Sequence, residues 1–356
     1  MKFGHFCLAT FFPDTDGDVG TFTRRWMDLL CESEALGFDS LWANEHHFGA
    51  YGGILPSTTT MLAGLSQRTT RVRLGTSVVV LPLHNPIEIA EQLAMVDLMS
   101  NGRLEFGVGR GGGPYDYTRL GIPHDDLQER LHEEIEIILK AWSGERFTHE
   151  GRFYKFPDVT VWPRPEQRPR PPIWLSCTQT PANFEWAGRM GFNLQTVPFF
   201  GVQGLINNNK LYRESWAGAG HAAGKWRTSA YYNCVLSEDK KEAREIARGA
   251  WGRYTAMLKH ALDRNDRAQS PNPYLVRMLQ DLQDVDRMVE DMRYIASTPD
   301  EAVSVLTRAQ DAMGFTDCVC TFYFGGISYE QAQHSMRLFA REVMPQLRHL
   351  EPKLAR

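Results

Sequence analysis

No run of apolar residues in this 356-residue chain reaches the roughly 18 that a helix needs to cross a bilayer. A spanning helix is therefore not expected. The opening residues Met1-Lys2-Phe3-Gly4-His5 lead directly into a strand-like segment without the charged and long apolar regions of a signal peptide, so the expected location is cytoplasmic. An excess of basic charge is also missing. With 39 Lys and Arg against 43 Asp and Glu, well mixed, the net charge of −4 leaves no electrostatic footprint for nucleic acid or an anionic membrane. Cysteine is sparse: Cys7, Cys31, Cys177, Cys234, Cys318 and Cys320 form no C-x-x-C pair and fall mostly in apolar segments, as reduced, buried thiols do. Cys318 and Cys320 share one face of a predicted strand but lack a second ligand pair, and no metal is expected. No linker or shift of composition divides the chain, which reads as a single domain over 1–356.

What is present is the material of a large core, with 42% hydrophobic and 23% charged residues. The chain is organised around Phe38 to Trp42, a short apolar strand that empties into Asn44-Glu45-His46-His47-Phe48 with no turn residue between. In parallel α/β folds ligands sit at the carboxyl ends of strands. The cluster is thus the first candidate site, although adjacent loop histidines also occur as plain solvated or backbone-bonded groups.

Strand and helix signals alternate along the whole chain. Strands are predicted at Lys2–Ala9, Phe38–Trp42, Arg71–Leu81, Arg103–Val108, Ile173–Cys177, Phe192–Val197, Arg227–Leu236 and Cys318–Phe324, and helix starts such as Asn85-Pro86, Thr180-Pro181, Ser237 and Ser328 separate them. Eight βα units without a break predict an α/β fold of the closed (β/α)8 TIM-barrel kind. Before the last strand the pattern weakens over 262–296, read as an excursion that is either a lid or a plain surface insertion. The proline-rich stretch 151–172 reads as an extended connection.

Gly107-Val108-Gly109-Arg110-Gly111-Gly112-Gly113 matches G-x-G-x-x-G by letter. A dinucleotide fingerprint needs a helix opening within the glycines, whereas Pro114 and the turn-like Tyr115-Asp116-Tyr117 defer the next helix to about Asp125. The fingerprint is rejected. What remains is a loop of backbone N–H groups with one arginine, suited to an anion.

With these residues in view, the chain resembles the bacterial luciferase-like flavin monooxygenases over nearly its full length. The resemblance is carried by Met1-Lys2-Phe3-Gly4, Gly37-Phe38-Asp39 with Glu45-His46-His47-Phe48, Gly75-Thr76 with Val79-Val80-Leu81-Pro82, Ser100 to Arg103, Gly107 to Gly111, Phe184-Glu185-Trp186-Ala187, Thr298-Pro299-Asp300-Glu301, and Phe339 through Met344-Pro345. It implies a TIM barrel that takes reduced FMN from a separate flavin reductase, adds dioxygen to form a hydroperoxyflavin, and oxygenates a small, apolar organic substrate. His46 matches the family's catalytic histidine, Arg110 a phosphate-contacting arginine, and Gln179 and Thr180 the neighbouring helix start. Ser77 and Val78 match a non-prolyl cis peptide beneath the flavin, and Phe48, Tyr115 and Phe199 are expected to line the substrate pocket. A homodimer is implied as well.

Two departures accompany the resemblance. Gly109 stands where the luciferases carry a reactive cysteine, so light emission is not implied, and Thr178-Gln179-Thr180-Pro181 replaces the luciferase Glu-Ser pattern. Two other functions remain open at this stage: a deazaflavin-dependent hydride-transfer oxidoreductase, and a flavin-binding homologue without turnover.

Overall fold

The computed structural model describes residues 1–49, 53–111, 114–263 and 284–352. Eight parallel strands close on themselves: β1 (Lys2–Cys7), β2 (Ser40–Ala43), β3 (Arg73–Thr76), β4 (Leu104–Gly109), β5 (Ile173–Ser176), β6 (Asn193–Thr196), β7 (Thr228–Leu236) and β8 (Asp317–Thr321). Each pairs with the next, and β8 returns to β1 through Lys2↔Asp317 to His5↔Cys320. The expected (β/α)8 barrel is therefore the fold. Helices between successive strands cover the outside, among them Val19–Ala35, Thr58–Arg68, Pro86–Met99 and Leu127–Ser143.

Alternation along the strands sends one set of side chains into the barrel. Trp42, Trp174, Tyr231 and Val319 form a separate buried cluster, in which the Trp42 and Trp174 rings cross at 79° with centroids 5.2 Å apart. Two large indoles fit because their neighbours are small. A Cβ on Gly75 would stand 2.1 Å from the Trp42 ring, and one on Gly107 would stand 1.8 Å from the Thr76 carbonyl oxygen.

The amino end of the barrel is closed by ion pairs. Arg73 Nε lies 2.9 Å from Glu105 Oε1, Arg227 Nη1 3.1 Å from the same oxygen and Arg227 Nη2 2.5 Å from Asp317 Oδ1, while Trp174 Nε1 donates to Glu105 Oε2 at 2.6 Å. Paired charges beneath an indole layer leave the carboxyl ends of the strands as the open mouth.

Three details differ from the sequence expectation. A seven-residue helix, Pro114–Leu120, follows the glycine loop directly, where the sequence predicts no helix before Asp125. Proline at the first helical position suits a helix start, and Tyr117 anchors this one by packing with Val80 and Leu127. The stretch read as extended connection carries a hairpin, Phe147–Glu150 with Lys155–Val159. The long third strand is broken after Thr76, with a two-residue continuation, Val79–Val80, paired to Val108 and Gly109. Of the 262–296 excursion, residues 264–283 lie outside the described residues; beyond them come helix Val285–Glu290 and a short strand, Ile295–Ser297, paired with the outer half of β7.

Among the described residues no helix is long and apolar enough to cross a membrane. The six cysteines are free, and Cys318 Sγ and Cys320 Sγ lie 3.8 Å apart on one face of β8 as their spacing predicts.

Candidate active site

The loop leaving β2 supplies most of the ionisable groups at the mouth. Asn44 is buried and its Nδ2 donates to the Leu8 carbonyl at 3.1 Å, while its Oδ1 is buried without a hydrogen-bond partner among the described residues. Glu45 is 4% exposed, and its Oε1 accepts from Nε2 of His47 at 2.9 Å and of His84 at 2.8 Å. Burial pushes the Glu45 carboxyl up, but the hydrogen bonds from His47 and His84 outweigh it and hold the group below the usual glutamate range. The same bond to Glu45 raises His47.

His46 lies on this loop with its backbone N–H donating to the Leu55 carbonyl at 2.9 Å. The half-buried imidazole is lowered to about 4, chiefly by burial, and is neutral at physiological pH. Gly53 lies against it. Phe48 ends the loop 52% exposed, with φ 56°, a backbone region that a bulky residue rarely adopts.

β3 and β4 deliver the next groups. The peptide between Ser77 and Val78 is cis, as the resemblance implies, and Ser77 N donates to the Ala43 carbonyl at 2.7 Å. A Cβ on Gly109 would meet Val78 Cγ2 at 3.1 Å, so the end of β4 runs close beside that peptide. Arg110 follows the last residue of β4, exposed, with its carbonyl accepting from Tyr117 OH at 2.7 Å. Since β2 and β4 are parallel, His46 and Arg110 emerge on the same rim.

Across the mouth, Thr180 is the N-cap of helix Pro181–Met190, and its side chain makes no capping hydrogen bond. Pro181 has no N–H and Asn183 N donates to the Thr180 carbonyl at 3.0 Å, which leaves the Ala182 N–H as the first-turn donor for an anion. Gln179 is exposed beside it; its Nε2 donates to the Phe200 carbonyl at 3.3 Å and its own carbonyl accepts from Asn208 Nδ2 at 3.0 Å. Phe199 is half-buried, with centroids 4.1 Å from Phe200 and 5.8 Å from Trp251, and its carbonyl accepts from Arg293 Nη2 at 2.6 Å. Tyr115 stands in the first turn of Pro114–Leu120; its side chain lies outside what the structure describes.

Three participants carry no sequence signal. His84, in the turn before helix Pro86–Met99, reaches Glu45 from 39 residues away. Asp116 is raised to about 6 by burial. Gln195 of β6 points inward, donating from Nε2 to the Thr76 carbonyl at 3.0 Å and keeping Oε1 buried without a partner among the described residues.

Imidazole, guanidinium and a helix start thus stand around the carboxyl-end mouth of a closed parallel barrel, the end at which α/β-barrel enzymes carry their active sites. The chain belongs to the Luciferase-like monooxygenase family, whose profile matches residues 1–316. It is 38% identical over 172 residues to the oxygenase component of a flavin-dependent trigonelline monooxygenase from Acinetobacter baylyi, covering 48% of this chain and 47% of that protein. Among solved structures, the monooxygenase RslO1 from Streptomyces bottropensis superposes with a TM-score of 0.84 at 31% identity, over 97% of this chain and 99% of that one. An F420-dependent secondary alcohol dehydrogenase shares the fold, with a TM-score of 0.75 at 18% identity over 97% of this chain and 98% of that one.

Proposed function

We propose that this protein is the oxygenase component of a two-component flavin-dependent monooxygenase, receiving reduced FMN from a separate reductase and oxygenating a small, apolar organic substrate. The observation that carries the reading is the shared rim of His46 and Arg110 above a layer of buried, unsatisfied acceptors, Asn44 Oδ1 and Gln195 Oε1. Buried acceptors without donors are costly, and the N–H edge of a flavin ring is a fitting partner. The mouth therefore suits the cofactor that the family resemblance implies.

In this reading Arg110 would pair with the phosphate, and the Ala182 N–H, with Gln179 beside it, would complete the anion cradle. Ser77 and Val78, with Gly109 close beside them, would hold the flavin ring. Bound reduced flavin supplies the electrons that activate dioxygen. His46, neutral because it is buried, accepts or returns one proton at a ring nitrogen during oxygen transfer. Phe48, Tyr115 and Phe199 bound the substrate space, and apolar walls there keep water from the reacting centre.

Rapid mixing of the protein and reduced FMN with oxygenated buffer tests the reading. Retarded reoxidation, with a transient absorbance unlike that of reduced or oxidised FMN, is the expected result; reoxidation at the rate of free flavin contradicts it. The fold shared with an F420-dependent enzyme favours a second reading, hydride transfer with a deazaflavin. Parallel titrations with FMN and F420 separate the two, and the monooxygenase reading requires tighter binding of FMN.

A further inference from the structure

Glu45 is the meeting point of two segments that are distant in sequence. His47 comes from its own loop and His84 from the turn after β3, and both imidazoles direct Nε2 at one carboxylate oxygen, at 2.9 Å and 2.8 Å. The three possible ligand atoms all lie within 4.8 Å of one another. Bonds of about 2.0–2.2 Å around a tetrahedral ion place its ligands roughly 3.3 Å apart, so the two Glu45 contacts need to open by about half an ångström while the two imidazole nitrogens, within 4.8 Å of each other, settle to the same spacing. Two imidazoles and one carboxylate form a donor set that zinc and non-haem iron both use, with at least one position left open.

A second observation points to the same place. Asp116, in helix Pro114–Leu120, has a buried Oδ1 without a hydrogen-bond partner among the described residues, and it lies within electrostatic reach of both His47 and Glu45. A buried carboxylate oxygen facing no donor is satisfied by a nearby cation. Hydrogen bonding among Glu45, His47 and His84 holds the trio together but does nothing for Asp116.

We propose that Glu45, His47 and His84 form a binding site for a divalent first-row transition-metal ion, with Asp116 supplying further negative charge from the neighbouring helix. The proposal does not rest on the flavin reading. Each imidazole binds through an unprotonated Nε2, so the Nε2 proton directed at Glu45 moves to Nδ1 when the ion enters, and a proton is released only from a ring that carried two. The ion ties the loop carrying His46 to the turn after β3 and so fixes one wall of the mouth.

The test uses the full chain, stripped with a chelator and titrated with CoCl2, then with ZnSO4. One equivalent of Co2+ should bind with visible d–d absorption, disappear on addition of Zn2+, and weaken by at least about tenfold in His84→Ala and in His47→Ala. Circular dichroism confirms that each variant is folded, and the wild-type spectrum stands independently of them. Absence of cobalt absorption in the wild type overturns the proposal. So does an equivalent of Co2+ retained unchanged in the His47→Ala/His84→Ala double variant, which places the ion elsewhere.

Discussion

Gly53 and His46 are in direct opposition: a Cβ on Gly53 would stand 2.6 Å from His46 Cβ and 2.8 Å from its Cδ2. The backbone bridge between Thr10 and Gly53 holds that segment against the imidazole. Gly53→Ala should therefore push the ring from its place and lower flavin-dependent oxidation by about tenfold or more, since small misplacement of a reacting group is costly. Steady-state turnover of Gly53→Ala, His46→Ala and the double variant checks this. The double variant should be no slower than His46→Ala, because both changes remove the same group.

Arg110 should matter only for ligands that carry a phosphate. A charge-assisted bond of roughly 1.5–3 kcal/mol corresponds to about a 10- to 100-fold loss of FMN affinity in Arg110→Ala. Riboflavin, which lacks the phosphate, should bind wild type and variant alike. Fluorescence titration with the two flavins makes the comparison.

The barrel interior is filled at the expense of side chains on β3. A Cβ on Gly75 would stand 2.1 Å from the Trp42 ring, so Gly75→Ala should cost at least about 1–3 kcal/mol by overpacking. Trp42→Ala should cost about 3–5 kcal/mol through the cavity it leaves. In urea denaturation both midpoints should fall with little change of slope.

Glu134 makes stability depend on pH. Burial raises its carboxyl to about 7, and Tyr154 OH donates to Oε1 at 2.7 Å without reversing the shift. The folded state keeps the proton to higher pH than the unfolded state does, so the contribution to stability is full below about 4.5 and is lost as pH rises through about 7. Glu134→Gln, which is neutral throughout, should therefore be more stable than wild type at pH 8.5 by about 3 kcal/mol, with most of the advantage gone at pH 5. Thermal melts at the two pH values test the sign.

Much of this architecture was legible because the barrel strands are buried on both faces, and such strands leave near-continuous apolar runs like Leu74 to Leu81 or Ile173 to Cys177. The parallel register then turns the end of each run into a position on one rim, which is how His46 and Arg110 could be placed together. Shorter elements were not legible. The helix Pro114–Leu120 holds Tyr115, Asp116 and Tyr117, which are weak helix formers, and tertiary packing of Tyr117 decides it. The strand Lys155–Val159 tolerates Pro157 because it falls in the register shift between Phe156 and Val159, where no residue pairs with the partner strand. His84 could not be found at all: its partner Glu45 is 39 residues away, and only the adjacency of β2 and β3 joins them.

A crystal structure of the protein with FMN tests the central claim most directly. The account predicts the phosphate between Arg110 and the helix start at Thr180, the ring against Ser77 and Val78, and the His46 imidazole facing the ring. A flavin bound outside this mouth, or one whose phosphate meets neither Arg110 nor the Thr180 helix start, would contradict it.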